Sequence, residues 1–371
     1  MTQLVLDEAL CRRMPKVLLH EHLDGGLRPA TVIELARQSG YDGLPTQDPA
    51  ELAQWFRRGA DRKSLPLYLE GFSHTIAVMQ TPEALERVAF EALEDCKNDG
   101  VVYSEIRFAP LFHTQRGLSL ERVMEAVLAG LDQGRRRFGV EFGLIVCGMR
   151  NREDSLEMAE LALDFRDRGC VGFDLAGEEA GHPPKRHLAA FDAIRRANFS
   201  ITIHAGEAFG RESIWQAIQI CGAHRIGHAT RLLEDVVEHE GKVLRLGPLA
   251  QFILDRRIPL EICLSSNVQT GAVPSLDSHP FGVFFREHFR VTLNTDNRLM
   301  SATTLSKEYA LAAEHFDVGF DDLEKITVNA MKSAFIHYDQ RCAIIFGTIK
   351  PAFAKLRAEF GLPGPKSRFT G

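Results

Sequence analysis

The sequence predicts an α/β protein built as a (β/α)8 barrel, the TIM-barrel fold, and three observations lead to this prediction. Eight short apolar runs rich in β-branched residues are spread along the chain, and amphipathic stretches with helical spacing separate most of them. Runs that are apolar throughout, each followed by a helix, are typical of parallel strands covered on both faces. The length of 371 residues suits one decorated barrel.

The candidate strands follow one another along most of the chain. They are KVLLHEH (16–22), VVYSEIRFAP (101–110), VEFGLIVCGM (140–149), GCVGFDLAG (169–177), FSITIHAGE (199–207), HRIGHA (224–229), IPLEICLSSN (258–267) and FRVTLNTDN (289–297). Helical spacing is clear in segments 120–138 and 155–168, which lie between strands. We expect residues 1–371 to form one domain, with a loose Gly- and Pro-rich tail over 361–371.

One interval is too long for the simple pattern. Roughly seventy residues separate the first two candidate strands, and they contain several helical segments. An insertion after a barrel strand lies at the carboxyl-terminal face, where barrel active sites form. We therefore predict a helical lid over about 28–98, with a packing elaboration that takes no part in binding as the alternative.

Composition and charge limit the function classes. Hydrophobic residues make up 45% and charged residues 25% of the chain, as in a well-cored globular protein. The formal net charge of −6 argues against nucleic acids and anionic membranes as partners and favours an uncharged small substrate. The amino-terminal segment has no apolar signal region, and no uncharged apolar stretch is long enough to span a bilayer. The cytoplasm is the expected location.

The seven cysteines are odd in number and scattered, and no CxxC pair occurs. This distribution argues against a disulfide framework and against a thiolate metal site, and it favours a reducing compartment.

Residues able to bind metals or move protons cluster at the carboxyl ends of the predicted strands. His20 and His22 end the first, His204 ends the fifth with Glu207 three residues later, His228 ends the sixth, and Asp296 ends the eighth. Barrel enzymes place their chemistry at these ends. An isolated HxH pair would be weak evidence, but a chance distribution would also have put such residues in helices or at strand starts.

Three imidazoles, one carboxylate and an open position describe a catalytic zinc site. In that arrangement Glu207 and His228 are left for proton chemistry. Two other zinc signatures are absent: HEHLD lacks the spacing of an HExxH helix, and the cytidine-type HxE…PCxxC pattern needs a CxxC that the chain does not have.

Six motifs in register resemble the adenosine deaminases of the amidohydrolase superfamily. They are HEHLDG, DLAGEE, HAGE, RIGHA, SSNVQTGAV and TLNTDN, and the resemblance runs from residue 16 to about residue 335. It implies zinc-dependent hydrolytic deamination of adenosine and 2′-deoxyadenosine, in purine metabolism. It implies that one zinc ion is held by His20, His22, His204 and Asp296.

The same resemblance implies the remaining roles. Glu207 would donate a proton to the purine ring, and His228 would orient and polarise the metal-bound water. The backbone N–H of Gly177 would contact the purine edge, and His22 and Asp24 would lie near the ribose. The residues that match apolar lid positions are Tyr68, Leu69 and Phe72.

One position departs from the family pattern, which has two consecutive aspartates where this chain has Asp296 and Asn297. In the family the second aspartate contacts the imidazole ring of the purine, whose N7 is an acceptor. An asparagine offers N–H donors at any pH, so Asn297 is compatible with purine binding. The change leaves the preferred substrate open.

Two alternatives remain. The chain could be a related amidohydrolase that acts on adenine, a modified adenosine or a cyclic amide. Binuclear members of the superfamily carry a bridging lysine on the fourth strand, whereas GFDLAGEE has none, which favours one metal ion and the deaminase branch. The other alternative is a non-catalytic nucleoside-binding protein. It is disfavoured because all the predicted metal ligands, Glu207 and His228 are present.

Overall fold

The computed structural model describes residues 4–239 and 242–364. Ten strands are present in this part of the chain: β1 Lys16–His22, β2 Val101–Phe108, β3 Glu141–Met149, β4 Cys170–Ala176, β5 Ser200–Ala205, β6 Arg225–His228, β7 Val236–His239, β8 Lys242–Leu246, β9 Leu260–Ile262 and β10 Val291–Leu293. Eight of them form one parallel sheet in the order β1-β2-β3-β4-β5-β6-β9-β10. The predicted barrel is confirmed.

The barrel closes between its first and last strands. Glu21 and Asp296 form a parallel bridge, and the backbone N–H of His22 donates to the Asp296 carbonyl at 2.7 Å. The Asp296 N–H in turn donates to the carbonyl of His20 at 3.0 Å. Closure therefore brings the HEH motif directly beside Asp296, although they are far apart in sequence.

The helices surround the barrel and cover its carboxyl-terminal end. They are α1 Glu8–Arg13, α2 Pro29–Ser39, α3 Pro49–Ala60, α4 Leu65–Leu69, α5 Phe72–Val78, α6 Pro82–Asn98, α7 Leu120–Phe138, α8 Ser155–Asp164, α9 Leu188–Arg196, α10 Arg211–Trp215, α11 Pro248–Arg256, α12 Leu264–Gln269, α13 Phe281–Arg286, α14 Arg298–Ser301, α15 Leu305–Phe316, α16 Phe320–Ser333, α17 Tyr338–Ile344 and α18 Lys350–Glu359. None of the described helices is long and apolar enough to cross a membrane.

Local sequence explains where several helices begin and end. The side chains of Asp48, Thr81 and Ser119 accept hydrogen bonds from first-turn N–H groups of α3, α6 and α7, which are otherwise unsatisfied donors. Helix α7 ends at Gly139, whose φ of 68° is the left-handed conformation that glycine adopts without a steric penalty. The apolar faces of these helices contribute to one continuous hydrophobic core.

The long interval after β1 contains α2 to α6. The last of these, α6, packs beside α7 and against β2, as an ordinary barrel helix does. The preceding helices are the additional elements, and α4 and α5 contribute side chains to the cavity described below. The proposed lid boundary, about 28–98, remains a prediction, as does the single-domain assignment. The predicted loose tail over 361–371 lies outside the described residues from 365 onward.

Three details differ from the sequence prediction. The eighth predicted strand, 289–297, is reduced to β10 Val291–Leu293, so Asp296 lies three residues beyond the strand and pairs with Glu21 through an isolated bridge. The seventh predicted strand, 258–267, is shorter, because the chain leaves the barrel after Ile262 and turns into α12 from Leu264. The antiparallel hairpin of β7 and β8 was missed. It is an addition outside the barrel sheet and does not disturb the order of the eight strands.

Candidate active site

A cavity of about 420 Å³ opens at the carboxyl-terminal end of the barrel, a size that accommodates a small molecule. Twelve of the residues predicted from the sequence are brought together here. Those that line the cavity are His22, Asp24, Tyr68, Leu69, Phe72, Gly177, His204, Glu207, His228, Asp296 and Asn297. The twelfth, His20, is fully buried, with its ring centroid 4.5 Å from that of His204.

Four side chains in and beside the cavity could hold a metal ion. His20, His22, His204 and Asp296 each offer one ligand atom, and these four atoms all lie within 4.8 Å of one another. The Nε2 atoms of His22 and His204 are 3.1 Å apart, and Oδ1 of Asp296 lies 3.4 Å from Nε2 of His22. Burial lowers the pKa of both His22 and His204, so their lone pairs are available near neutral pH.

The chemistry of this donor set fits a metal ion. Nε2 of His20 is buried without a hydrogen-bond partner, although it faces Oδ1 of Asp296 at 3.3 Å. An unsatisfied buried nitrogen is costly unless something binds it. Imidazole nitrogens with one carboxylate suit zinc and related divalent ions.

Buried carboxylates hold the histidine rings from behind. Nδ1 of His20 lies 2.9 Å from Oε2 of Glu261, and Nδ1 of His204 lies 3.0 Å from Oδ2 of Asp174. Arg107 bridges the two carboxylates, donating to Glu261 at 2.9 Å and to Asp174 at 3.0 Å. Carboxylates in this position fix the tautomer and orientation of metal-binding histidines and raise their basicity.

Glu207 lies beside this cluster on a loop that is fixed by another glutamate. Glu179 accepts four consecutive backbone N–H groups, from residues 206 to 209, at 2.7 to 3.0 Å. Oε1 of Glu207 is buried without a partner, and Oε2 lies 3.7 Å from Nε2 of His228. Burial raises the pKa of Glu207 well above its usual value, and the charges of Asp296 and Glu179 act in the same direction.

A directed chain of hydrogen bonds determines which nitrogen of His228 carries the proton. The Phe281 N–H donates to Nδ1 of His279 at 3.0 Å, so the ring proton of neutral His279 is on Nε2. That N–H faces Oδ1 of Asn267 at 3.1 Å, which leaves Nδ2 of the amide to donate to Nδ1 of His228 at 2.9 Å. Burial lowers the pKa of His228 well below its usual value. The neutral ring therefore carries its proton on Nε2.

The backbone of two site residues is strained. His228 has a φ of 64° and Asp296 a φ of 59°, in the left-handed region that few residues other than glycine adopt. Such strain costs of order 1–3 kcal/mol and often occurs where a functional side chain must be aimed. Here it occurs in two residues that line the cavity, His228 at the end of β6 and Asp296 three residues beyond β10.

Comparison with known proteins agrees with this geometry. The family model described as adenosine deaminase matches residues 15–351. Adenosine deaminase 1 of Streptomyces coelicolor is 54% identical over 354 residues, which are 94% of this chain and 89% of that protein. The adenosine deaminase of Mycobacterium leprae is 56% identical over 350 residues, 93% of this chain and 97% of that protein.

The chain belongs to the adenosine deaminase family.

Solved structures are similar over nearly the whole chain. The N6-mAMP deaminase MAPDA from Arabidopsis is 28% identical, with a TM-score of 0.79 over 94% of this chain and 99% of that one. The adenine deaminase from Arthrobacter aurescens is 24% identical, with a TM-score of 0.82 over 93% of this chain and 99% of that one, a likeness that concerns the fold. Adenosine deaminases are metal-dependent amidohydrolases, and this family member has a His/Asp cluster whose donors are compatible with a metal ion.

Asn297, the residue that departs from the adenosine deaminase pattern, lies in close contact with the segment that follows β1. Oδ1 of Asn297 is buried without a hydrogen-bond partner. A Cβ atom added at Gly25 would lie 1.9 Å from that oxygen, so only glycine lets the two segments approach. Gly177, which directly follows β4, has a φ of 97°, a conformation that favours glycine. Gly177 also lines the cavity.

The predicted lid residues line the cavity. Tyr68 is buried, and its hydroxyl lies 2.9 Å from Oγ of Ser301. Leu69 and Phe72 are partly buried against the main core. Asp24 is buried in the cavity wall, with Oδ2 at 3.8 Å from Nε2 of His113 and with Oδ1 unpartnered.

Sequence reasoning missed the residues that support the site. They are Arg107, Asp174, Glu179, Glu261, Asn267 and His279. A signal existed for Asp174 and Glu261, since each is an isolated acid inside an apolar strand and such a residue needs a buried partner. The sequence carries no comparable sign that His279 acts through Asn267, because the contact between their side chains depends on how the chain folds after β9.

Proposed function

We propose that this chain catalyses the hydrolytic deamination of adenosine and 2′-deoxyadenosine to inosine and deoxyinosine, with release of ammonia and with one zinc ion per chain. In the reaction a water oxygen forms a bond to C6 of the purine and the bond from C6 to the amino nitrogen breaks. The observation that carries the proposal is the convergence of Glu207, His228 and the four-donor His/Asp cluster on one cavity. Membership of the adenosine deaminase family supports it.

The proposed zinc ligands are His20, His22, His204 and Asp296. A bound zinc ion lowers the pKa of its water to about 7 and so supplies a nucleophile at neutral pH. The chain contributes the orientation of the ligands, since the carboxylates of Glu261 and Asp174 hold two of the rings from behind.

Glu207 is proposed as the acid that protonates the purine. Attack at an aromatic carbon needs a place for the ring electrons, and protonation of N1 provides it. Because burial raises the pKa of Glu207 well above its usual value, the carboxyl group can hold this proton at neutral pH. The four hydrogen bonds that Glu179 accepts keep the loop, and thus the acid, in one position.

His228 is proposed to orient the attacking water. Its Nε2 proton points toward the space between Glu207 and the His/Asp cluster, with Oε2 of Glu207 at 3.7 Å. A neutral ring with a fixed Nε2–H donates a hydrogen bond to an oxygen without adding a positive charge to the site. This donor positions the oxygen for attack on C6.

The purine and ribose contacts are proposed from the cavity walls. The backbone of Gly177 lies at one edge, and the amide of Asn297 offers a donor for N7. Oδ1 of Asp24, buried and unpartnered, can accept a hydrogen bond from a ribose hydroxyl.

The charge of the cavity favours nucleosides over nucleotides. Among the described residues, no lysine or arginine lines it, whereas the carboxylates of Asp24, Glu70 and Glu178 do. A phosphate beside Asp24 would be repelled and would find no cation to pair with. The proposed partner is therefore a small uncharged nucleoside.

The second candidate substrate is a modified adenosine. It is kept because the Arabidopsis relative in structure is an N6-mAMP deaminase. Free adenine is less compatible with the cavity, because Asp24 would then lose the hydroxyl donor proposed for it.

The test is a deamination assay on adenosine, 2′-deoxyadenosine, N6-methyladenosine, adenine and AMP, run before chelation, after chelation and after zinc repletion. We expect loss of activity with the metal, recovery with zinc, and a far higher kcat/KM for adenosine than for AMP or adenine. Comparable kcat/KM values for AMP and adenosine would refute the role of Asp24. Full activity in the metal-free protein would refute the metal site.

A further inference from the structure

A second cavity, of about 480 Å³, lies at the end of the barrel opposite the active site. Its lining includes Ser200 and Arg225, which begin β5 and β6, and Pro259 and Arg290, which directly precede β9 and β10. These positions mark the amino-terminal end of the parallel strands. The proposed deamination uses none of them.

The cavity is strongly positive although the chain as a whole is acidic. Five arginines and one histidine line it, and no carboxylate of the described residues does: the basic residues are His224, Arg225, Arg256, Arg257, Arg290 and Arg341. Arg225 is neutralised by Glu105 and Glu261, each at 2.6 Å. The other four arginines make no ion pair with an acid in the described part of the chain.

The contacts of three of these arginines leave their charges uncompensated. Arg257 donates to the carbonyl of His288 at 2.5 Å, and Arg341 donates to the carbonyl of Lys332 at 2.7 Å. Arg256 lies over the ring of Phe252, with 5.6 Å from its Cζ atom to the ring centroid. These neutral partners orient the guanidinium groups without removing their charge.

Two donors in the cavity wall have nothing to bind. The Nε atoms of Arg290 and Arg341 are buried and lack hydrogen-bond partners. Burial and the neighbouring charges of Arg257 and Arg341 lower the pKa of Arg290 below its usual value. Like charges held close together are unfavourable, and an anion among them would relieve their repulsion.

We propose that this second cavity, the arginine cavity, binds a phosphate group, either as inorganic phosphate or as the phosphate of a small metabolite. Guanidinium groups present paired donors that match the oxygens of phosphate, and four unpaired cations favour a dianion over a singly charged carboxylate. Arg225 also lines the cavity, and its Cζ atom lies 3.5 Å from the centroid of the Phe335 ring.

Two side-chain contacts connect the arginine cavity to the proposed metal site. Arg225 donates to Oε1 of Glu261, whose Oε2 lies 2.9 Å from Nδ1 of His20. An anion in the arginine cavity therefore sits two side chains away from a proposed metal ligand.

The experiment titrates the full-length, metal-loaded protein with inorganic phosphate and with ribose 5-phosphate at constant ionic strength in chloride. Binding is followed by calorimetry and by the rise in Tm that a ligand of the folded state produces. We expect saturable binding of at least one of the two. Tighter binding of ribose 5-phosphate would identify a phosphorylated metabolite as the ligand, and equal binding would identify the phosphate group alone.

The test variants are Arg290→Gln, Arg341→Gln and the double variant, with Arg245→Gln on the exposed strand β8 as a control of equal charge. Each single change should weaken binding by ~10-fold or more, the scale of one charge-assisted hydrogen bond, and the control should not. Deamination of adenosine and the Tm in chloride report that the variants are folded. Absence of binding to the wild-type protein, or undiminished binding to the folded double variant, would overturn the proposal.

Discussion

Nδ2 of Asn267 lies 2.9 Å from Nδ1 of His228, and this contact fixes a proton in the site. The backbone N–H of Phe281 determines which atom donates in this contact. It donates to Nδ1 of His279, so the ring proton of His279 is on Nε2 and faces Oδ1 of Asn267. If the amide of Asn267 were turned over, its NH2 group would face the Nε2 proton of His279. Only one orientation satisfies every partner, and it places the His228 proton on the nitrogen that faces the cavity.

The first prediction reverses this contact with Asn267→Asp. A carboxylate still accepts from His279, but it can only accept from His228, so the proton must reside on Nδ1 of that ring. The neutral Nε2–H form is lost, and kcat should fall by at least ~10²-fold, since a displaced tautomer costs about 10⁴-fold in a serine protease. The measurement pairs steady-state kinetics with ¹⁵N spectra of the histidine rings.

Metal content should stay the same in this variant, because Asn267 contacts none of the proposed metal ligands in the hydrogen bonds of the site. The matched control is His224→Gln. Its Nδ1 accepts a backbone N–H, from Ile201 at 2.9 Å, as that of His279 does, but it lies at the other end of the barrel. A variant with Nδ1 of His228 protonated and kcat unchanged would disprove the orienting role.

The second prediction concerns the proposed acid. Glu207→Gln keeps the size of the side chain but has no carboxyl proton to donate. Metal content and KM should change little, while kcat should fall by at least ~10²-fold, the usual scale of general acid–base catalysis. Glu178→Gln is the control, since Glu178 lines the same cavity with no role in the proposed proton transfer. Near-normal turnover in Glu207→Gln would remove the acid from the mechanism.

The barrel and the proposed metal ligands could be predicted because their signals are local. A strand end can be read from a short apolar run, and parallel strands bring all their carboxyl ends to one face. His204 and Asp296 could thus be expected to meet without any knowledge of how the intervening helices pack. The family motifs then added the roles of Glu207 and His228.

The supporting residues could not be predicted because their partners are distant in sequence and depend on register. Glu261 reaches His20 across 241 positions, and Arg107 reaches Asp174 across 67. Both contacts cross the inside of a closed sheet, where a shift of one residue turns a side chain to the other face. Sequence alone indicates that a charged residue in an apolar strand needs a partner, but it does not identify the partner.

The third prediction tests one of these supports with Asp174→Asn. The His204 ring and Arg107 guanidinium overcome the effect of burial and hold the pKa of Asp174 well below its usual value, so it accepts as a carboxylate. An amide is a weaker acceptor and can present its NH2 group to Nδ1 of His204 instead. Zinc affinity should fall by ~10–100-fold, the usual cost of losing such a partner.

The measurement is competition with a chelator of known zinc affinity, combined with activity at saturating zinc. Cys147→Ala is a suitable control, because its Sγ atom is 3.5 Å from Oδ2 of Asp174 and yet carries no proposed role in metal binding. Equal zinc affinity in Asp174→Asn and the wild-type protein would show that the carboxylate is dispensable for the metal.

The fourth prediction is a pH dependence of stability that comes from His279. Burial lowers its pKa from 6.5 to about 3 in the folded protein. Between these values the unfolded chain binds one more proton than the folded one, so stability falls as pH decreases through this window. The loss attributable to this group is about 1.4 kcal/mol per pH unit well below 6.5.

Urea unfolding of the wild-type protein and of His279→Gln, between about pH 7 and pH 5, measures this contribution. Wild-type stability should decrease more steeply on acidification, so that the difference between the two proteins narrows at low pH. The same substitution at the exposed His337 is the control. Parallel curves for the wild-type protein and His279→Gln would show that the histidine is not held neutral.

The fifth prediction addresses substrate recognition through the contact of Gly25 with Asn297. The methyl group of Gly25→Ala would lie 1.9 Å from Oδ1 and 2.7 Å from Cγ of Asn297, so the amide must move. If this amide donates to N7 of the purine, kcat/KM for adenosine should fall by ~10-fold, about the value of one hydrogen bond. The rate with 7-deazaadenosine, which lacks the N7 acceptor, should change much less, because that analogue cannot form the bond.

Gly59→Ala, where an added methyl group meets nothing within 4 Å, should leave both rates unchanged. An equal loss for both substrates in Gly25→Ala would mean that the amide shapes the cavity without binding N7.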